Sequence, residues 1–190
     1  MKTYPHKYKH GKQTEPMEFK DFRINVESGL KVDRERDMAF LYLLYYIGCR
    51  VRALLELRKG TDVTVEENDL VFKLKPLKHG IREVPLRLPL ILPHMDQITQ
   101  YIGTIREGEK LFPFSYTTAW RIVKRIFPEK YTHYFRLNRC TQFLDDPEAT
   151  LPEIKTWFGW KRAETVTAYI GSSPRHIKKG SQRLVKETIG

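Results

Sequence analysis

Apolar residues are spread unevenly along this chain. The longest uncharged block, Met38 to Gly48 (MAFLYLLYYIG), is about eleven residues long. That is too short to cross a bilayer and reads as a buried core helix. Asp33 is placed to cap it, and Ile47 ends it ahead of Gly48. The stretch CRVRALLELRKG then resumes a helical spacing through Arg50, Leu54 and Leu57 until Gly60. From Asp62 to Leu86 the period changes. VTVEENDLVFKLK is β-branched and alternating about the turn Glu66–Asp69, and Pro76-Leu77-Lys78-His79-Gly80 leads into the strand-like Ile81–Leu86. Helical periods return over Leu90–Gly103, over Thr117–Phe127 ahead of Pro128, and from His133 to about Leu144, where Asp145-Asp146-Pro147 breaks the pattern. Thr150-Leu151-Pro152-Glu153 has the form of a capping box with proline in the first turn, so a further helix starts there and stops at Gly159. A short helical segment follows over 164–170. Phe19–Val32 alternates only weakly and is ambiguous, and there are no internal repeats. The pattern predicts an α+β domain, mostly α-helical, with a small antiparallel β-sheet or hairpin near its start.

Composition adds a partner to this outline. The 190 residues are 41% hydrophobic, enough for one core. Lys and Arg number 34 against 23 Asp and Glu, a formal net charge of +11, with ten Tyr, ten Phe and three Trp. A basic, aromatic-rich chain with no membrane-length apolar run fits a nucleic-acid partner and no membrane. Two cysteines, Cys49 and Cys140, lie inside apolar helical patterns without a CxxC, and the basic N-terminus lacks a signal-peptide apolar region. Both features fit a cytoplasmic protein. Residues 1–32 are expected to form a basic arm or linker, 33–171 the functional domain, and 172–190 a basic tail able to dock on another subunit.

The candidate chemistry concentrates between Thr132 and Tyr169. His133 and Arg136 share one helix face a turn apart. An imidazole beside a guanidinium is a poor core but a good phosphate holder, because the planar fork stays charged and the ring can donate a hydrogen bond or move a proton. Trp160 offers an indole N–H, a donor only, and Tyr169 a phenol able to act as a nucleophile. Arg50, directly after the glycine of an apolar helix, needs a partner or a polar cleft. Arg52 is expected instead to lay its stem over apolar surface. Arg121, Lys124 and Arg125 recur at helical spacing, and Lys78 and Arg82 flank the hairpin turn; all five are candidate DNA contacts.

In this order the residues resemble the catalytic domain of the tyrosine recombinases, or phage-type integrases, over roughly Asp33 to Gly171. IGCRVRALLELRKGTDV is similar to the family's first arginine box and following strand, and KHGIREVPL to its hairpin. LFPFSYTTAWRIVKR resembles the stretch before the second box, and HYFRLNRCTQFL the HxxR box. IKTWFGWKRAETVTAYI resembles the His/Trp position and the nucleophile segment, with nine positions from Trp160 to Tyr169. Each motif is weak alone; the five in sequence are a strong signal. The resemblance implies catalytic roles for Arg50, His133, Arg136 and Trp160, with Tyr169 the nucleophile. It implies a hairpin lysine as general acid, Lys75 on the first strand before the turn, with Lys78 as the alternative. The family's often acidic position three after the first arginine is Ala53 here, with Glu56 one turn on, and the often-histidine position directly after the second is Leu137. The family's N-terminal DNA-clamping domain has no counterpart in the roughly 33 residues before the resemblance starts.

The implied activity is site-specific recombination of double-stranded DNA through a 3′-phosphotyrosyl intermediate, by a homo-oligomer (dimer or tetramer) on DNA. No metal and no cofactor are expected. Two alternatives stay open: a type IB topoisomerase-like relaxation enzyme, and a catalytically silent DNA-binding module.

Overall fold

The computed structural model describes residues 16–30, 34–75 and 84–160. The expected cap Asp33, the hairpin turn with Lys78 and Arg82, the 164–170 segment with Tyr169, the first fifteen residues of the arm, and the tail all lie outside the described residues. The helices are α1 (Phe19–Gly29), α2 (Arg34–Ile47), α3 (Val51–Leu55), α4 (Met95–Gly103), α5 (Tyr116–Ile126), α6 (Tyr134–Asp145) and α7 (Leu151–Phe158). Three strands, β1 (Val63–Glu66), β2 (Asp69–Leu74) and β3 (Val84–Pro89), form one antiparallel sheet in the order β1-β2-β3. The architecture is α+β and mostly helical, as the pattern of apolar positions predicts.

The uncharged block becomes the central helix. Every residue of α2 from Met38 to Ile47 is buried, as expected of a helix apolar all round. Helices α4 and α6 pack against it. Among its described side chains the one buried charge is Asp37, only 2% exposed, and it is paired from two sides. Arg36 donates to it at 2.9 Å and Arg125 of α5 at 2.7 Å. A buried carboxylate left unpaired would be far more costly than one so neutralised.

The ambiguous stretch after the arm resolves as α1. Phe22 and Val26 lie one turn apart on its buried face, and Phe22 stacks on Tyr45 (4.3 Å) and Phe127 (5.7 Å). The segment expected to be an arm or linker therefore adds a helix to the core. The preceding residue Met17 is tied down as well, its N–H donating to Asn138 Oδ1 at 2.6 Å.

Two helices are shorter than their periodicity predicts. The helix expected to reach Gly60 stops at Leu55, because the backbone of 57–59 pairs elsewhere. Leu111 N–H donates to Leu57 O (2.9 Å) and Lys59 N–H to Glu109 O (3.0 Å). The helix expected from Leu90 starts at Met95. Leu90 still donates to Asn68 O of the β1–β2 turn (2.7 Å), and His94 sits at φ 64°, outside helical geometry. In the sheet, Leu70 faces Leu88 and Phe72 faces Leu86, all four buried, while Arg87 pairs with Glu66 (2.6 Å) on the solvent face. Pro85 and Pro89 fall in an edge strand, where a missing donor costs least. No helix among the described residues is long and apolar enough to cross a membrane.

Candidate active site

Arg50 stands where α2 ends. Gly48 takes φ 62° there, and a side chain at that position would bring its Cβ to 2.5 Å from Arg139 Cβ. Only glycine lets the chain turn so close to α6. Two residues on, Arg50 is the N-cap of α3, with its side chain exposed and with no hydrogen-bond or ion-pair partner among the described residues. Arg52 lies over the Tyr116 ring at 5.8 Å, so its stem and head cover an aromatic surface.

His133 is the N-cap of α6, and Arg136 stands in the helix's first turn. Arg136 is 4% exposed, yet a fixed shell meets its charge. Its Nη1 donates to Gly48 O (3.3 Å) and its Nη2 to Phe158 O (3.1 Å), while its guanidinium lies over the rings of Phe158 (4.8 Å) and Trp160 (5.3 Å). Carbonyl dipoles and ring faces both favour a planar cation. The positive end of the α6 dipole opposes this cation and, like it, favours an anion nearby.

Trp160 reaches this cluster through the end of α7. The capping box forms as the sequence predicts: Thr150 accepts the Glu153 N–H, and the Glu153 carboxylate accepts the Thr150 N–H (2.7 Å). The Thr150 N–H and, at 2.8 Å, the Thr150 hydroxyl both donate to the Glu153 carboxylate and hold it below its usual value. At the other end Gly159 adopts φ 64° and donates to Thr156 O (3.1 Å), while Trp160 N–H donates to Lys155 O (2.9 Å). This pair of crossed bonds is a Schellman motif, which fixes the direction of the chain beyond the glycine. The Trp160 ring accordingly stacks on Phe158 at 4.8 Å.

His133 feels both arginines. The pKa of His133 is lowered from 6.5, first by desolvation from the surrounding protein, then by the Arg136 and Arg50 charges. Both arginines thus act on the same ring, although that ring keeps an open side to solvent. One fixed guanidinium, one exposed guanidinium and an imidazole whose pKa is lowered form a cationic corner suited to an anion.

Burial keeps the described thiols and the Tyr134 phenol protonated. Burial pushes the Cys49 and Cys140 thiols up to about 12, with Arg136 only partly opposing it. It pushes the Tyr134 phenol to about 12 also. Among the described residues no group of three His, Cys, Asp or Glu side chains is arranged to hold a metal ion.

The other sequence candidates are placed differently. Lys75, just beyond β2, pairs with the buried Asp62 at 3.5 Å. On α5, Arg121 is exposed, Lys124 donates to Pro128 O (2.7 Å) and Arg125 holds Asp37. Glu56, one turn past Ala53, pairs with Lys110 (2.9 Å) at the surface. Sequence reasoning passed over Tyr116 and Trp120, which are 44% and 42% exposed on that same helix. Their spacing of four against the buried set Ala119, Ile122, Val123 and Ile126 was the available signal. The Tyr116 hydroxyl lies 3.1 Å from that of Thr132, the neighbour of His133, so this aromatic face adjoins the cationic corner.

No family model matches the chain, and no curated protein matches its sequence. Solved structures share its fold. The XerH site-specific recombinase bound to difH substrate, in a pre-cleavage complex, superposes with a TM-score of 0.68 at 16% identity, over 90% of this chain and 53% of that one. The same recombinase bound to palindromic difH in a post-cleavage complex gives 0.69 at 15%, over 88% and 52%. The XerA recombinase gives 0.62 at 15%, over 90% and 66%. The chain spans about half the length of the XerH chain, and at these identities the likeness is one of fold.

Proposed function

We propose that this chain is the catalytic domain of a site-specific DNA recombinase that cleaves and rejoins strands through a phosphotyrosyl intermediate. The observation that carries the reading is that the charges of Arg50 and of the carbonyl-held Arg136 both act on the His133 ring at the α6 N-terminus. Tyr169 attacks a DNA phosphodiester, and the bond from phosphorus to the 5′-oxygen breaks. The products are a 3′-phosphotyrosyl enzyme and a strand ending in a 5′-hydroxyl. The bond energy stays in the phosphotyrosyl link, so a second 5′-hydroxyl can reverse the step on a new strand without a nucleotide cofactor.

Each side chain has a separate task. The pentavalent transition state gathers charge on its non-bridging oxygens. Arg136, locked between two carbonyls and two rings, is already oriented for them, and Arg50 supplies the mobile second charge. Trp160 adds its indole as a neutral wall and donor. Neutral His133 takes the tyrosine proton or hydrogen-bonds the phosphate. A hairpin lysine, Lys75 or Lys78, gives a proton to the leaving 5′-oxygen. Tyr116, Trp120 and Arg121 continue the surface outward as a face for the duplex, while Arg125 is first of all the partner of Asp37. A dimer or tetramer on DNA is the assembly this chemistry needs for exchange between two duplexes.

Covalent trapping tests the reading. A duplex nicked so that the 5′-hydroxyl fragment diffuses away is incubated with protein and chelator, then denatured. Wild type is expected to form a protein–DNA adduct, and Tyr169→Phe none. Salt-sensitive DNA binding with no wild-type adduct would leave a binding module and overturn the enzymatic reading.

A further inference from the structure

Helix α2 ends in carbonyls that no further turn of helix can satisfy. Two of them, Ile47 O and Gly48 O, lie just ahead of Arg50, and both are met by side chains. Arg136 takes Gly48 O (3.3 Å), and the Trp157 indole Nε1–H donates to Ile47 O at 2.9 Å. Trp157 comes from α7, more than a hundred residues away in sequence. Its ring is itself held, with Phe143 at 5.1 Å and the Arg139 guanidinium 5.4 Å above it. Arg139 is the residue whose Cβ presses on Gly48, so the α2–α3 corner is gripped by α6 on one side and α7 on the other. The residue after Trp157 supplies the carbonyl that holds Arg136 Nη2 (3.1 Å). One turn of α7 therefore touches both arginine positions, the first through a side-chain donor and the second through a backbone acceptor.

We infer that Trp157 is a positioning residue for strand transfer: by capping Ile47 O it fixes the corner from which Arg50 is aimed at the phosphate. The inference rests on the strand-transfer reading above. Arg50 needs such a device more than Arg136 does, since its own side chain has no partner among the described residues and only the backbone beneath it sets its direction. Small errors in aim are costly at a site that works by preorganised charge.

The test uses Trp157→Phe, which keeps a ring under Arg139 and removes the N–H. Duplex affinity is expected to stay within about twofold of wild type and the melting temperature to fall by a few degrees, because one part-buried hydrogen bond is lost. The rate of adduct formation on the nicked duplex is expected to fall about tenfold. A second background separates positioning from general loosening. In Arg50→Lys, where the fork is already gone, adding Trp157→Phe should lower the rate by less than about twofold, a non-additivity that marks action through Arg50. An unchanged rate in Trp157→Phe overturns the inference and leaves the strand-transfer reading intact. So does a full tenfold loss in both backgrounds. A wild type that forms no adduct overturns both.

Discussion

At the scale of single residues, His133 is the group whose protonation the site controls. Its pKa lies below 6.5 in the folded chain, through desolvation and then the two arginine charges. Between that lowered value and 6.5 the unfolded chain binds more protons at this position than the folded one. The group's share of stability therefore rises with pH across that window, is complete above 6.5, and is lost as pH falls through the folded value. The same window bears on rate. Neutral imidazole is the form that can take the tyrosine proton, so adduct formation should fall on the acid side with an apparent pKa below 6.5. His133→Gln should abolish that acid limb and lower the plateau about a hundredfold. A pH series of single-turnover cleavage checks it: an acid limb that persists in His133→Gln assigns the titration to another group. The spacing of three puts His133 and Arg136 one turn apart at the start of α6, where His133 is exposed and Arg136 buried. The shell around Arg136 was not legible, because Gly48 O and Phe158 O are backbone atoms brought in by tertiary packing.

At the scale of elements, the ends of helices proved more informative than their middles. Thr150–Glu153 and Gly159 were readable because caps are local, each made by residues three or four apart. The ends of α3 and the start of α4 were not, since strand-like pairing with 109–111 and the tie from Leu90 to Asn68 are long-range. Helix α1 was missed because its buried face holds only Phe22 and Val26, too few to set a period. The α2–α3 corner gives the test at this scale. Gly48→Ala combines a left-handed backbone, roughly 1–2 kcal/mol, with overpacking against Arg139 and Phe135, about 1–3 kcal/mol. A total near ~3 kcal/mol should lower the melting temperature by about 6–12 °C for a chain of this size. Gly103→Ala is the control, because nothing lies within 4 Å of the added Cβ; it should leave the midpoint unchanged or slightly raised. Equal midpoints for the two variants would mean that the corner yields more easily than its packing implies.

At the scale of the whole molecule, the sequence carried the architecture and the charge, while the way charge is shared out appeared only in three dimensions. A formal +11 suggests a broad cationic surface. Ion pairs leave that net charge unchanged but tie down particular cations: Arg125 to Asp37, Arg87 to Glu66 and Asp69, Lys110 to Glu56, Lys59 to Glu107. On α5, that leaves Arg121 beside the uncharged Tyr116 and Trp120 as the group best placed for phosphate. Charge and stacking then predict different signatures in one experiment. A cation on a phosphate releases counterions, so Arg121→Ala should lower the slope of log affinity against log salt by about one. An aromatic ring packed on sugar or base releases none. Trp120→Leu should therefore weaken duplex binding by about 1 kcal/mol, or roughly fivefold, at every salt concentration and leave the slope as it was. Fluorescence anisotropy with a labelled duplex between about 50 and 200 mM salt measures both. A slope that changes in Trp120→Leu would mean that the ring orders a neighbouring cation and makes no direct contact itself. A slope unchanged in Arg121→Ala would move the duplex off α5 and onto the surface around Arg50 and Arg52.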